Sequence, residues 1–126
     1  MRLLINAINT YKYLTILIYS FIIINMTSFA RLFRKYRLKS GIETLSCFGD
    51  LLAEEGFVYE TSLYTRWQQG DRIPKNRKIL LAIIKIFLLK KGIVSISEIN
   101  SFFESAGQGY VTQQEERQIL HLIKTI

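Results

Sequence analysis

The sequence predicts an all-α domain of five or six helices, preceded by an apolar N-terminal helical extension. Its hydrophobic content of 49%, with 13% aromatic residues, is enough to build a core. One proline and seven glycines in 126 residues favour helices over a β-sandwich or barrel. Apolar residues recur three and four positions apart through most of the chain after residue 26. We therefore expect an extension over 1–25, a helical domain over 26–106, and a C-terminal turn and helix over 107–126.

The N-terminal extension differs from the rest of the chain. Its apolar run from Tyr13 to Ile24 has only 12 residues, whereas a bilayer span needs about 20. Three interpretations remain open: a membrane anchor or signal peptide with Arg2 as its charged end, a packed helix, or a translated artefact before a true start at Met26. We expect membrane anchoring, through residues 3–25, only if residues 1–25 are retained. Otherwise the expected location is the cytoplasm, at the nucleoid.

Six helices with definable ends follow residue 26. Ser28 begins the first, and Glu98 forms a capping box with Ser95 in the fifth. Cys47 lies near the apolar positions of the second helix, where we expect a small buried hydrophobic residue. The fourth helix is apolar around most of its circumference and is expected to form the centre of the core. The predicted ranges are 28–40, 44–55, 61–69, 75–91, 95–106 and 112–124.

The third helix has a definable start, stop and inner face. Glu60, Thr61 or Ser62 can cap its first free N–H groups. Tyr64 and Trp67 are three residues apart and share one face, which predicts that both are buried. The helix should end at residue 70, a glycine able to adopt the left-handed conformation, four residues before a proline.

The opposite face of this helix is polar and carries no carboxylate. Small hydroxyl, amide and guanidinium side chains of this kind can read base edges in the major groove of DNA. An ordinary amphipathic surface helix would show the same periodicity, so this face alone does not decide between the two. Its residues are Thr61, Ser62, Thr65, Arg66, Gln68 and Gln69.

Charge is distributed unevenly along the chain. The formal net charge of +7 and the pI near 9.7 point to a polyanionic partner, either nucleic acid or an anionic membrane surface. The first turn of the fourth helix carries Lys75, Arg77 and Lys78, although the helix dipole disfavours cations there. This placement suggests contact with phosphate outside the fold. Five carboxylates lie between residues 43 and 60, and most of them must face away from any bound phosphate.

The segments SFARLFRKYR and SLYTRWQQGDRIP, each on a predicted helix, resemble the Cro/repressor-type helix-turn-helix family (the XRE family, with a lambda-repressor-like fold). In that family the third helix typically ends in a hydrophobic residue, a polar pair, glycine, a basic residue and proline; Trp67 to Pro74 follows this spacing. The resemblance covers about residues 28–106. It implies sequence-specific binding of double-stranded DNA by a transcriptional regulator, and a homodimer that the last helix could join.

The resemblance also implies roles for individual residues. It implies base contacts by Thr61, Ser62 and Arg66, with Thr65 on the same face, and places Gln69 at the phosphate backbone. The remaining phosphate contacts expected are Arg72, Lys75, Arg77, Lys78 and Arg34.

Two departures from the family pattern matter. Gln68 replaces the family's usual glutamate, so its expected link to Arg37 becomes a hydrogen bond between a neutral and a charged group. The link before the third helix is also longer than the family's tight turn.

The sequence contains no pattern that points to catalysis. His121 and Cys47 are its only histidine and cysteine, so these residue types cannot supply a tetrahedral metal site. Gly107 and Gly109 are not followed by the Lys-Ser/Thr of a phosphate-binding loop. We therefore expect no enzyme activity, no metal and no cofactor. The rival to DNA binding is a membrane-anchored or scaffold protein that uses a degenerate helix-turn-helix for protein contacts.

Overall fold

The computed structural model describes residues 10–18 and 28–125, and the regular secondary structure in these ranges is entirely helical. The all-α prediction is confirmed, and each predicted helix after residue 26 is present with ends within about two residues of those expected. Helix α1 covers 10–18. It is followed by α2 (Ser28–Lys39), α3 (Leu45–Glu54), α4 (Thr61–Gln69), α5 (Arg77–Leu89), α6 (Ile96–Ser105) and α7 (Gln113–Thr125).

Side-chain caps define several helix starts. The Ser95 hydroxyl accepts a hydrogen bond from the backbone N–H of Glu98, as the predicted capping box requires. Thr112 and Glu115 cap each other's backbone N–H groups at 2.9 and 3.2 Å. The prediction failed at α4, where Glu60 occupies the cap position without a side-chain hydrogen bond.

Helix α5 forms the centre of the core, as predicted. Around it, α2 packs on α4 and α6, α3 packs on α4 and α5, and α7 packs on α5. The ring of Phe33 joins several elements, with centroids 5.0 Å from Phe48, 6.1 Å from Trp67 and 6.3 Å from Phe87. The buried residues of α5 are Ile79, Leu80, Ala82, Ile83, Ile84, Ile86, Phe87 and Leu88.

The end of α5 is set by close packing against α2. The left-handed residue there is Lys91, with φ of 61°. At the next position, Gly92, a Cβ atom would lie 2.6 Å from the Tyr36 carbonyl oxygen and would overlap the Ser40 hydroxyl. Glycine therefore lets the chain after α5 pass directly over the end of α2.

The expectation that Cys47 is buried was wrong. Its side chain is exposed and borders a groove with Glu43, Asp50 and Lys90. Phe48, one residue later, points into the core instead. Consecutive residues on an α-helix point about 100° apart, which turns position 47 outward.

The described part of the N-terminal extension lies in solvent. All side chains of α1 are exposed. Across residues 10–18 and 28–125, no helix combines the length and the apolar character required to cross a bilayer. The predictions for 1–9 and 19–27, including the domain boundary at 25 and the start at Met26, lie outside the described residues.

Candidate nucleic-acid interface

Helix α4 has one buried and one exposed face. Tyr64 is 1% exposed and Trp67 2%, which confirms the predicted inner face. Thr61, Ser62 and Arg66, which the sequence singled out for base contacts, are all exposed, and so is Gln69. Thr65 is half-buried, and its hydroxyl donates to the Thr61 carbonyl at 3.2 Å.

The C-terminal end of α4 has the predicted left-handed glycine. Gly70 has φ of 86°, and the N–H of Asp71 donates to the Arg66 carbonyl at 3.0 Å. This 6→1 bond is typical of a Schellman motif, which turns the chain sharply away from the helix axis. Pro74, four residues after the glycine, is buried. The segment 71–76 consequently lies beside the end of α4.

A buried arginine joins α2 to α4. Arg37, only 5% exposed, donates to the Gln68 side-chain oxygen at 2.9 and 3.2 Å. Its Nη1 donates to the carbonyls of Ile42 at 2.8 Å and Glu43 at 2.9 Å. The expected hydrogen bond between a neutral and a charged group is confirmed. The pKa of Arg37 is lowered, first because burial disfavours its charged form and second because Arg34 lies nearby.

Close contact between α3 and α4 fixes the inner face of α4. The Tyr64 ring packs edge-on against Phe48, with 5.3 Å between centroids. A Cβ atom at Gly49 would come within 2.9 Å of the Tyr64 ring, so the absent side chain lets the two helices approach. Burial raises the pKa of the Tyr64 hydroxyl. Because the ring cannot rotate outward without opening this contact, the exposed face of α4 is held in one orientation.

Two of the predicted phosphate-contacting cations lie next to α4. Arg72 and Lys75 are exposed and border a groove of about 600 Å³. The same groove is lined by Leu63 and Trp67 of α4 and by Ile79 of α5. Arg34 is also exposed, one helical turn before Arg37. It lies on α2, the helix whose Arg37 side chain reaches Gln68 of α4.

Arg77 is engaged inside the fold, contrary to the expectation that its partner is external. Its guanidinium binds both carboxylate oxygens of Glu115 at 2.7 and 2.8 Å and the carbonyls of Gln108 and Tyr110 at 2.7 and 2.9 Å. It also lies 4.2 Å from the ring centroid of Phe103. The ion pair raises the pKa of Arg77 and lowers that of Glu115 to about 2. This cation is therefore already neutralised by α7.

Lys78, on the first turn of α5, borders a different groove from Lys75, which precedes the helix. Its side chain is exposed, but it borders the groove between α5 and α7, together with Glu115 and Leu122. The three cations that the sequence grouped at 75–78 thus have three different surroundings, and only Lys75 shares a groove with α4.

Several carboxylates near α4 in sequence point elsewhere. Glu43 and Asp50 border the groove that contains Lys90. Glu55 forms an ion pair with Lys85 at 3.0 Å. Glu60 remains at the start of α4, where the helix dipole favours a negative charge.

Sequence reasoning missed two side chains that support the segment 71–76. Asn76 caps α5 by accepting a hydrogen bond from the N–H of Lys78 at 2.8 Å. Gln108 donates from its amide to the Lys75 carbonyl at 2.7 Å. Asparagine is a common cap residue, so the role of Asn76 was detectable from the sequence. The hydrogen bond from Gln108 to Lys75 joins positions 33 residues apart, and no local sequence pattern indicates it.

Comparison of the chain with protein-family models, with curated proteins and with solved structures gives no match.

Proposed function

We propose that the chain binds double-stranded DNA sequence-specifically, with α4 as the recognition helix, and acts as a transcriptional regulator of the Cro/repressor (XRE) type with a lambda-repressor-like fold. One observation carries this proposal. Tyr64 and Trp67 anchor α4 inward while Thr61, Ser62 and Arg66 face solvent, and the exposed cations Arg72 and Lys75 border a groove along the Leu63 and Trp67 side of the same helix. The exposed carboxylate of Asp71 borders this groove too. A polar, carboxylate-free helix face next to cations has the composition that a major groove requires.

In this proposal Arg66 is the principal base-reading residue. A guanidinium can donate two hydrogen bonds to O6 and N7 of guanine, the most informative single contact in the major groove. The hydroxyls of Thr61 and Ser62, one turn earlier, can donate to or accept from neighbouring bases. Thr65 contributes a contact through its methyl group, since its hydroxyl proton is engaged within α4.

The phosphate contacts of the proposal come from residues around α4. Arg72 and Lys75 lie at its C-terminal end, Gln69 is exposed on its last turn, and Arg34 is exposed on α2, one turn before the Arg37 that binds Gln68 of α4. Such contacts give affinity and orientation without reading sequence. We leave Arg77 out of this set because its guanidinium is paired with Glu115, and Lys78 because its exposed side chain borders the groove between α5 and α7 rather than the groove beside α4.

We also propose that the DNA-bound form is a homodimer joined through α7. Leu120 and Ile123 on this helix are exposed, and Ile123 borders a small groove with the exposed Val94. A second copy covering these side chains would give the complex two α4 helices. The binding site would then contain two half-sites about one helical turn, or a multiple of it, apart.

A pair of lysine variants tests the proposed interface. Lys75→Ala should weaken binding to all DNA sequences alike, roughly threefold to tenfold at about 0.1 M salt, and should reduce the slope of log K against log salt by about 0.9. Lys78→Ala removes the same charge three residues away and should leave both quantities unchanged. Fluorescence anisotropy with labelled duplexes over a salt series measures both.

Two outcomes would contradict the proposal. Equal effects of the two lysine variants would mean that only total charge matters and that α4 has no special position. The absence of any DNA binding by the unmodified chain at low salt would instead support a scaffold protein in which this surface makes only protein contacts.

A further inference from the structure

The exposed apolar surface of α1 is separate from the proposed DNA interface. Tyr11 is 73% exposed, Tyr13 70% and Leu17 63%, whereas the core residues of the domain are almost fully buried. Ile16 and Ile18 are exposed as well, so apolar side chains project from all sides of this short helix. Contiguous exposed apolar surface of this kind marks an interaction site.

The charges of the chain around α1 indicate which class of partner its apolar surface binds. The first carboxylate in the sequence is Glu43, and the preceding residues carry cations only. An apolar segment in a purely cationic stretch is complementary to a surface that is negatively charged outside and apolar beneath. An anionic lipid bilayer has both properties, and DNA has only the first. The cations before residue 43 are Arg2, Lys12, Arg31, Arg34, Lys35 and Lys39, together with Arg37, which is buried between α2 and α4 and does not face a partner.

The positions of the aromatic and charged side chains in α1 fit the bilayer surface rather than its interior. Tyr11 and Tyr13 flank Lys12, and the apolar residues follow. Tyrosine is enriched at the level of the lipid headgroups, where its ring is buried and its hydroxyl remains in water. The apolar run from Tyr13 to Ile24 has 12 residues, too few for a span of about 20. A segment with these features lies in the headgroup region.

We infer that α1 binds the surface of an anionic membrane, with its apolar side chains inserted among the lipids and Lys12 at the headgroups. This binding is independent of α4 and does not rest on the proposed DNA-binding function. It provides a second location for the protein, because a chain held at the membrane through α1 still carries an intact α4.

Flotation of the full chain with lipid vesicles tests this inference. The vesicles contain either phosphatidylglycerol and phosphatidylcholine in equal parts or phosphatidylcholine alone. We expect the chain to float with the anionic vesicles and at least about tenfold less with the neutral ones. The double variant Ile16→Asp/Leu17→Asp should lower the partition coefficient for anionic vesicles by at least about tenfold, because it places carboxylates in the apolar region.

A matched control separates insertion of α1 from general charge effects. Val58→Asp/Tyr110→Asp also replaces two exposed apolar side chains with carboxylates, but in the helical domain. It should change the partition coefficient less than about twofold. Arg66→Ala should float as the unmodified chain does, and Ile16→Asp/Leu17→Asp should bind DNA as the unmodified chain does. These two results keep the failure of one function distinguishable from the failure of the other.

Three outcomes would overturn the inference. The first is that the unmodified chain stays in the unbound fraction with both vesicle types. The second is that Ile16→Asp/Leu17→Asp floats as well as the unmodified chain, in which case the basic domain alone accounts for binding. The third is that mass spectrometry of the protein from cells finds every chain beginning at Met26, so that α1 is absent from the working protein.

Discussion

Two arginines join helices in this molecule, and they do so with opposite electrostatics. Arg37 links α2 to α4 through neutral acceptors only, and its burial lowers its pKa. Arg77 links α5 to α7 through the carboxylate of Glu115, and the ion pair raises its pKa. The link beside α4 thus adds no negative charge near the proposed DNA surface, whereas the link at α7 neutralises its cation. Cationic residues whose sequence surroundings look alike can therefore be buried in the core, form an internal ion pair or remain available to an external partner.

The largest expected effect comes from removing the buried link at α4. Arg37→Met should lower the free energy of unfolding by about 3 kcal/mol, because it leaves the carbonyls of Ile42 and Glu43 and the Gln68 amide without their charged donor. Arg34→Met removes an equal charge from an exposed position one turn earlier and should cost less than about 0.5 kcal/mol. Urea denaturation measures both. Similar losses for the two variants would show that the buried hydrogen bonds contribute nothing.

The stability that the Arg77–Glu115 ion pair provides should depend on pH. The pKa of Glu115 is lowered from 4.5 to about 2 in the folded protein, so its carboxylate binds fewer protons there than in the unfolded chain. Its contribution to stability is therefore complete above about pH 5 and is lost as the pH falls through about 2. We expect the ion pair to add about 2 kcal/mol to the free energy of unfolding. This is less than the full pKa shift of Glu115 implies, because Arg77 is partly exposed and water screens the interaction.

Glu115→Gln isolates this contribution. The difference in unfolding free energy between the unmodified chain and this variant should be largest near about pH 6 and should shrink towards zero near about pH 2. Glu116→Gln, at the next position, serves as the control. A difference that stays constant across this pH range would contradict a stabilising ion pair.

A smaller effect, an increase in stability, is expected from introducing a carboxylate at position 68 of α4. Gln68→Glu should raise the free energy of unfolding by about 1 kcal/mol at neutral pH, because it turns the hydrogen bonds between a charged donor and a neutral acceptor into an ion pair between Arg37 and a carboxylate. Gln69→Glu, which adds the same charge at an exposed neighbouring position, should change stability by less than about 0.5 kcal/mol. The gain should disappear at low pH as the introduced carboxylate becomes protonated. Equal melting temperatures for the two variants at neutral pH would show that Arg37 gains nothing from an ionised partner.

Patterns among neighbouring residues were sufficient to predict the helices and most of their ends. Periodicity and cap residues located the helices because each depends on residues a few positions apart, as Ser95 with Glu98 illustrates. The link from Arg37 to Gln68 was found only because the resemblance to a known family indicated a partner across 31 residues.

Patterns among neighbouring residues could not predict contacts between positions far apart in the sequence. The engagement of Arg77 by Glu115 depends on how α7 folds back over α5, which no local pattern encodes. Cys47 was misplaced because its neighbours are apolar and a small shift in helical phase decides which of them faces inward. For the candidate site, the polar face of α4 was predictable from periodicity. The separation of Lys75 from Lys78 became clear only from the grooves they border.

The central claim is that Arg66 reads a base from the exposed face of α4, and selection of bound sequences from a random DNA pool tests it most directly. The unmodified chain should enrich one motif with two half-sites. Arg66→Ala should lose its preference at one base pair of each half-site, equivalent to about 1–3 kcal/mol, while the other positions are retained. Enrichment of the same motif by both proteins, or of no motif by either, would contradict the account.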